Sequence, residues 1–209
     1  MSLGGKIFVS VIVAVATAMS VFAATFTDVS PDDWYFEYVE KLVEKEILDV
    51  GDSFRPNDPL NRAELVKMAI VAIDGLLDYE PPAYPTFKDV PEDEWYYQYV
   101  ESALQLGIVS GYTDAEGNQT FFFGPGDNVT RAQAAKIIKE TYALPTLTSP
   151  HSSFADVPPT EWFHDYVVSL YNWGVVDGYK HDEFGPSDFV TRAQIAKMIV
   201  LADKPPIIN

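Results

Sequence analysis

The chain contains no cysteine, so no disulfide braces it and cysteine usage carries no information on redox compartment. Basic residues are scarce. Fourteen Lys and Arg stand against 31 Asp and Glu, a formal charge of −17. That balance excludes general binding to nucleic acid, which needs a basic surface to displace counterions. It also argues against settling on an anionic membrane. The three histidines, at 151, 164 and 181, have no metal-ligand spacing. There is no nucleophile motif, phosphate-binding loop or zinc pattern, and no pair of carboxylates is singled out among the many. No catalytic residue is therefore assigned, and no metal or cofactor is expected. Apolar material is not lacking. The 209 residues are 47% hydrophobic and 14% aromatic, enough for one or two domains and unlike a disordered acidic tail.

The first residues, MSLGGKIFVSVIVAVATAMSVFAATF, carry one charge, Lys6, ahead of an apolar stretch from Ile7 to about Phe22. Val21 and Ala23 suit the −3 and −1 positions of a signal-peptidase site, so residues 1–23 read as a secretory signal and the mature chain as starting at Ala24. The alternative is an uncleaved anchor, since the run is near the lower length for spanning a bilayer. After cleavage no membrane insertion is expected. The chain is then expected to be secreted.

Comparing the chain with itself reveals one unit three times over. FTDVSPDDW at 26–34, FKDVPEDEW at 87–95 and FADVPPTEW at 154–162 are variants of one phrase. Each leads to a turn (ILDVG, IVSGY, VVDGY), then to Phe-x-Pro at Phe54, Phe123 and Phe184, then to NRAEL, TRAQA or TRAQI. The repeats span 24–80, 86–144 and 153–204, with short proline-containing linkers and a tail at 205–209.

Each unit reads as helix, loop, helix. In the first helix Tyr96, Tyr99, Val100, Ala103 and Leu104 fall on one face, and Phe163, Tyr166, Val167, Leu170 and Tyr171 repeat the pattern. Gly107 and Gly174 are placed as C-terminal caps. Asn61 with Glu64, Thr130 with Gln133 and Thr191 with Gln194 form capping boxes that start the second helix. The FFF of the second loop, opposite IVSGY, is expected to pair with it in a short β-hairpin. The fold is thus mainly α, three helix-loop-helix units closing on one another because one unit alone cannot bury its apolar face. Asp114, Glu116 and Asn118 alternate as calcium ligands do, but Gly117 is out of place and no acidic twelfth ligand follows, so no calcium site is expected.

Arg62, Arg131 and Arg192 are the residues that helix formation does not explain. A cation in a first turn opposes the helix dipole by roughly 0.3–1 kcal/mol, yet it recurs at one equivalent position. Free N–H groups at a helix start favour an anion, and a guanidinium grips a carboxylate through two bonds. The plainer alternative is a structural ion pair with Asp28, Asp89 or Asp156 of a neighbouring unit.

With these phrases in hand, the chain resembles the S-layer homology family. The resemblance rests on the Phe-x-Asp-Val-Pro-x-x-x-Trp opening, the Gly-Tyr turn and the Thr-Arg-Ala-Gln helix start, and covers about residues 26–203. It implies pseudo-threefold packing of the three units. It implies non-catalytic attachment of a secreted protein to an acidic, pyruvylated secondary cell-wall polysaccharide, with the arginines contacting the sugar in grooves between units. The candidate ligand residues are Arg62, Arg131 and Arg192, with Gly111, Tyr112, Gly178 and Tyr179 of the turns. Trp34, Trp95, Trp162, Gln133 and Gln194 join them, the tryptophans as core or groove wall rather than primary contacts. The alternative function is a structural envelope protein acting through contacts with other envelope proteins. The loop of the first repeat departs most from the pattern. It lacks the Gly-Tyr pair and adds Glu46, Asp49 and Asp52, so the groove it walls is expected to bind an anionic sugar least.

Overall fold

The structure is a computed structural model that describes residues 24–76, 79–147, 154–179 and 182–203. The signal reading of 1–23, the end of the second linker and the 205–209 tail lie outside the described residues. Among the described residues there are six helices: α1 (Phe36–Glu44), α2 (Arg62–Ala72), α3 (Tyr97–Gln105), α4 (Arg131–Thr141), α5 (His164–Asn172) and α6 (Arg192–Asp203). The odd-numbered helices open the repeats and the even-numbered ones close them.

The two sets differ in sequence and so in position. In α1 only Val39 and Leu42 are buried, while Glu37 and Glu44 face out. In α2 the residues Ala63, Leu65, Val66, Met68, Ala69 and Ile70 are all buried. A helix apolar on one side lies on the surface of a bundle, and one apolar all round lies at its centre. Accordingly α2, α4 and α6 pack against one another in the middle. The outer helices do not fold back on their own partners. α3 packs on α2, α5 on α4, and α1 on α6, so each repeat lends its first helix to the repeat before it and the ring closes between the first and last helices. Lys45 at the end of α1 meets Asp203 at the end of α6 at 2.6 Å.

A cyclic set of hydrogen bonds marks the pseudo-threefold axis. The N–H of Leu60 donates to the carbonyl of Val190, Val129 to Leu60, and Val190 to Val129, at 2.9–3.1 Å. All three side chains are fully buried. Below them a single core gathers Phe54, Phe123 and Phe184 with Leu42, Leu65, Ile138 and Leu170. Truncating a central member such as Ile138 to Ala would cost about 2–5 kcal/mol.

The capping boxes form as expected. Asn61 and Thr130 accept from the N–H groups of Glu64 and Gln133, whose side chains accept in return. Thr191 and Gln194 make the same exchange. Gly107 and Gly174 end their helices at φ 74° and 68°, and in the first repeat Glu46 takes the same left-handed conformation at φ 57°. The second loop pairs with itself through Tyr112, Thr113, Gln119, Thr120 and Phe122, as a bridge and a few ladder bonds. Asp114 at its tip is held in the turn by the N–H groups of Glu116 and Asn118.

Candidate functional site

The three arginines stand at the first position of α2, α4 and α6 and reach across to the loop of the next repeat. Arg62 donates from Nε to the carbonyl of Phe123 at 2.8 Å, Arg131 to that of Phe184 at 2.8 Å, and Arg192 to that of Phe54 at 2.7 Å. Arg62 and Arg131 are each only 7% exposed. Burial lowers the pKa of all three, against the opposing pull of neighbouring acidic groups. A guanidinium starts so high that it keeps its charge.

The first-turn N–H groups, by contrast, are not available to a ligand. Those of Arg62 and Ala63 donate to the carbonyls of Asp127 and Pro125, those of Arg131 and Ala132 to Asp188 and Pro186, and those of Arg192 and Ala193 to Asp58 and Pro56. The capping box takes the next one. The positive charge offered to a ligand therefore comes from side chains. Nor do the arginines pair with Asp28, Asp89 or Asp156. Those carboxylates hold the loops instead, accepting from the N–H groups of Phe54 and Arg55, Phe123 and Gly124, and Phe184 and Gly185.

Three grooves result, and each draws on all three repeats. Groove I holds Arg62 of the first repeat, the loop and α4 of the second, and Trp162 of the third, and encloses about 400 Å³. Groove II holds Arg131, the third loop with α6, and Trp34, in about 240 Å³. Groove III holds Arg192, the first loop with α2, and Trp95, in about 320 Å³. The tryptophans are 51–57% exposed, groove walls and not core. Gln133 and Gln194 face grooves I and II, and Glu64 takes the equivalent place in groove III.

The turn residues also line the grooves, with roles the sequence did not disclose. Tyr112 lies against the guanidinium of Arg62, whose carbon is 4.8 Å from the ring centre, and Phe123 lies on it at 4.6 Å. Tyr179 and Phe184 enclose Arg131 in the same way, at 4.6 and 4.4 Å. These contacts fix the arginine where it meets the groove. Gly51 stands at the corresponding place in the first repeat, and Arg192 has only Phe54, at 5.2 Å. The missing side chains of Gly111 and Gly178 serve packing: a Cβ there would lie 2.4 Å from Phe87 and 2.3 Å from Phe154. Gly124 and Gly185 carry φ of 72° and lie under the tyrosine rings.

A second cation lies in each groove: Lys136 in I, Lys197 in II and Lys67 in III. Each follows by five positions the arginine that starts its own helix, which opens into a different groove, a regularity visible on self-comparison but easily taken for a solvated helix position. Among the described residues no three His, Cys, Asp or Glu side chains gather as a metal site, and no helix is long and apolar enough to cross a membrane.

Comparison with known proteins decides the family. The S-layer homology domain model matches at residues 25–66, 86–135 and 153–196. The chain belongs to the S-layer homology domain family. An S-layer protein of Bacillus thuringiensis subsp. finitimus is 26% identical to 97% of the chain, which covers 24% of that protein. S-layer protein sap of Bacillus anthracis is 27% identical over the same shares. An amylopullulanase of Thermoanaerobacterium thermosulfurigenes is 28% identical to 94% of the chain, which covers 11% of it. The chain thus spans a quarter or less of these relatives. Relatives named as S-layer proteins and as an amylopullulanase match nearly the whole of this chain.

Proposed function

We propose that the chain is a non-catalytic module that holds a protein on the bacterial cell envelope by binding an acidic, pyruvylated secondary cell-wall polysaccharide in its grooves. The observation that carries this reading is the set of three arginines, Arg62 and Arg131 buried and Arg192 partly so, each pinned through Nε to a neighbouring carbonyl and opening toward a groove walled by a half-exposed tryptophan. A planar fork suits a carboxylate, and an indole face suits a sugar ring at the same time. The net negative charge of the chain discourages loose polyanion binding while local cations retain a specific one. That relatives with unlike names, surface-layer protein and amylopullulanase, match over the same repeats supports an attachment role over a catalytic one.

A second reading, an envelope protein assembling through protein contacts, draws support from the relatives named as S-layer proteins. Purified wall sacculi separate the two. The anchoring module co-sediments with intact sacculi and fails to do so once the acidic polymer is extracted or its pyruvate ketal removed. Undiminished retention on stripped sacculi, or self-association without any glycan, would favour the second reading.

A further inference from the structure

The three grooves share one backbone plan but differ in how their cations are neutralised. In groove I, Lys136 has no ion pair or hydrogen bond among the described residues, and the loop residue facing it is Ser110. Arg62 uses Nε alone there, leaving its two terminal nitrogens without a hydrogen bond among the described residues. In groove II the residue equivalent to Ser110 is Asp177. Its carboxylate pairs with Lys197 and its carbonyl accepts from Arg131 Nη2 at 2.9 Å. In groove III the equivalent is Asp49, paired with Lys67 at 3.0 Å, while Glu64 takes Arg192 at 3.3 Å. Asp127, Asp188 and Asp58 lie near the three arginines alike, and in direct ion pairs the series is none, one and two, with Arg55, 4.0 Å from Glu64, adding a further cation beside groove III.

We propose that the loop residue at 110, 177 or 49 sets the rank of its groove by leaving the opposing lysine free or neutralising it, so that groove I is the principal site for an anionic saccharide and groove III the weakest. This rests on the anionic-glycan reading above. The mechanism is electrostatic and not steric, because Ser110, Asp177 and Asp49 are all exposed and hold the same place in the loop. Exposed ion pairs add little to stability. A ligand carboxylate brought beside one, however, meets the acid as well as the lysine, and an opposing unit charge a few ångströms away is worth about five- to thirtyfold in affinity at intermediate effective dielectric. Salt shrinks the difference, since the Debye length is about 8 Å at physiological ionic strength.

The molecule supplies one reporter per groove: Trp162 in I, Trp34 in II and Trp95 in III. The test uses the full chain labelled with nitrogen-15, its indole resonances assigned by single Trp→Phe variants. The probe is a methyl glycoside of a pyruvate-ketalised amino sugar, titrated at low and at physiological salt. The Trp162 resonance is expected to saturate first, about five- to thirtyfold ahead of Trp34, with Trp95 last. Ser110→Asp should erase the lead of Trp162 and leave Trp34 unchanged, and Asp177→Ser should strengthen the Trp34 response by a similar factor. Saturation of the three resonances in step, or a Trp162 response indifferent to Ser110→Asp in folded protein, overturns the ranking alone. If the ketal moves no indole resonance, the glycan reading itself fails and the ranking falls with it.

Discussion

Gly124→Ala puts the arginine cradle to a quantitative test. Gly124 has φ 72°, and a Cβ there would sit 2.2 Å from Asp127 Oδ2 and 2.6 Å from Tyr112 Cε2. A non-glycine residue in the left-handed region costs about 1–2 kcal/mol by itself. The clash adds to that, because the Asp127 carboxylate and the Tyr112 ring must both give way. Tyr112 donates its hydroxyl to that carboxylate at 2.8 Å, a partly exposed charge-assisted bond worth about 1 kcal/mol or somewhat more. The ring also leaves the Arg62 guanidinium, at about 0.5–1 kcal/mol for a site open on one side. Together the loss is about 2–4 kcal/mol. Gly117 supplies the control, with φ 86° and nothing within 4 Å of its missing Cβ. Gly117→Ala should cost only the backbone share, about 1–2 kcal/mol. Urea unfolding with an unchanged m-value measures both, and groove I should lose its saccharide while groove II keeps it. A difference below ~0.5 kcal/mol between the two variants, less than an ordinary surface substitution, would refute the packing of Tyr112 on Gly124 and with it the tyrosine's hold on Arg62.

Arg62→Lys and Arg131→Lys preserve charge but lose the planar fork, so calorimetry against the purified polymer should show clearly weaker binding in both; wild-type affinity would reject the bidentate grip. Asp28 is pushed up by burial but more strongly held down by hydrogen bonds from Phe54 N–H, the Ser53 hydroxyl and Arg55 N–H, so its folded pKa lies below the ordinary value. Its contribution is present above the unfolded pKa of about 4 and lost as pH falls through the folded one. Asp28→Ala should therefore be less stable than wild type at pH 7, and the gap in thermal unfolding should shrink as pH falls below about 4 and close once it has passed the lower folded value. The buried Tyr142 hydroxyl has no partner among the described residues, and burial drives its pKa up. Removing an unsatisfied hydroxyl is worth about 1 kcal/mol, so Tyr142→Phe should raise Tm by about 2–4 °C in calorimetry.

The legible part of this molecule was its repetition. Equal phrases at equal offsets dictated equal helices, and capping residues marked where α2, α4 and α6 begin. The arginines declared themselves because they oppose the local dipole. The exchange of first helices was hidden, because the apolar faces of α1 and α3 are alike and either could cover its own partner or a neighbour's. For the same reason the sequence could not tell which loop each arginine meets. The tyrosines were readable as groove residues but not as clamps on a guanidinium. Gly111 and Gly178 look like room for a ligand in sequence, and in space are room for Phe87 and Phe154.

The order in which the ring is joined bears on how fast it assembles. Contacts of α2 with α3 and of α4 with α5 join neighbouring segments, whereas α1 meets α6 across nearly the whole chain, as Lys45 and Asp203 show. Loop-closure entropy must be met before distant contacts reward it, so the two local pairs form early and the α1–α6 seam last. Groove I needs Trp162, groove II needs α6 and groove III needs Arg192. A chain made from its N-terminus therefore leaves grooves II and III unfinished until its final helix has docked, so any ligand that binds there reports completed folding.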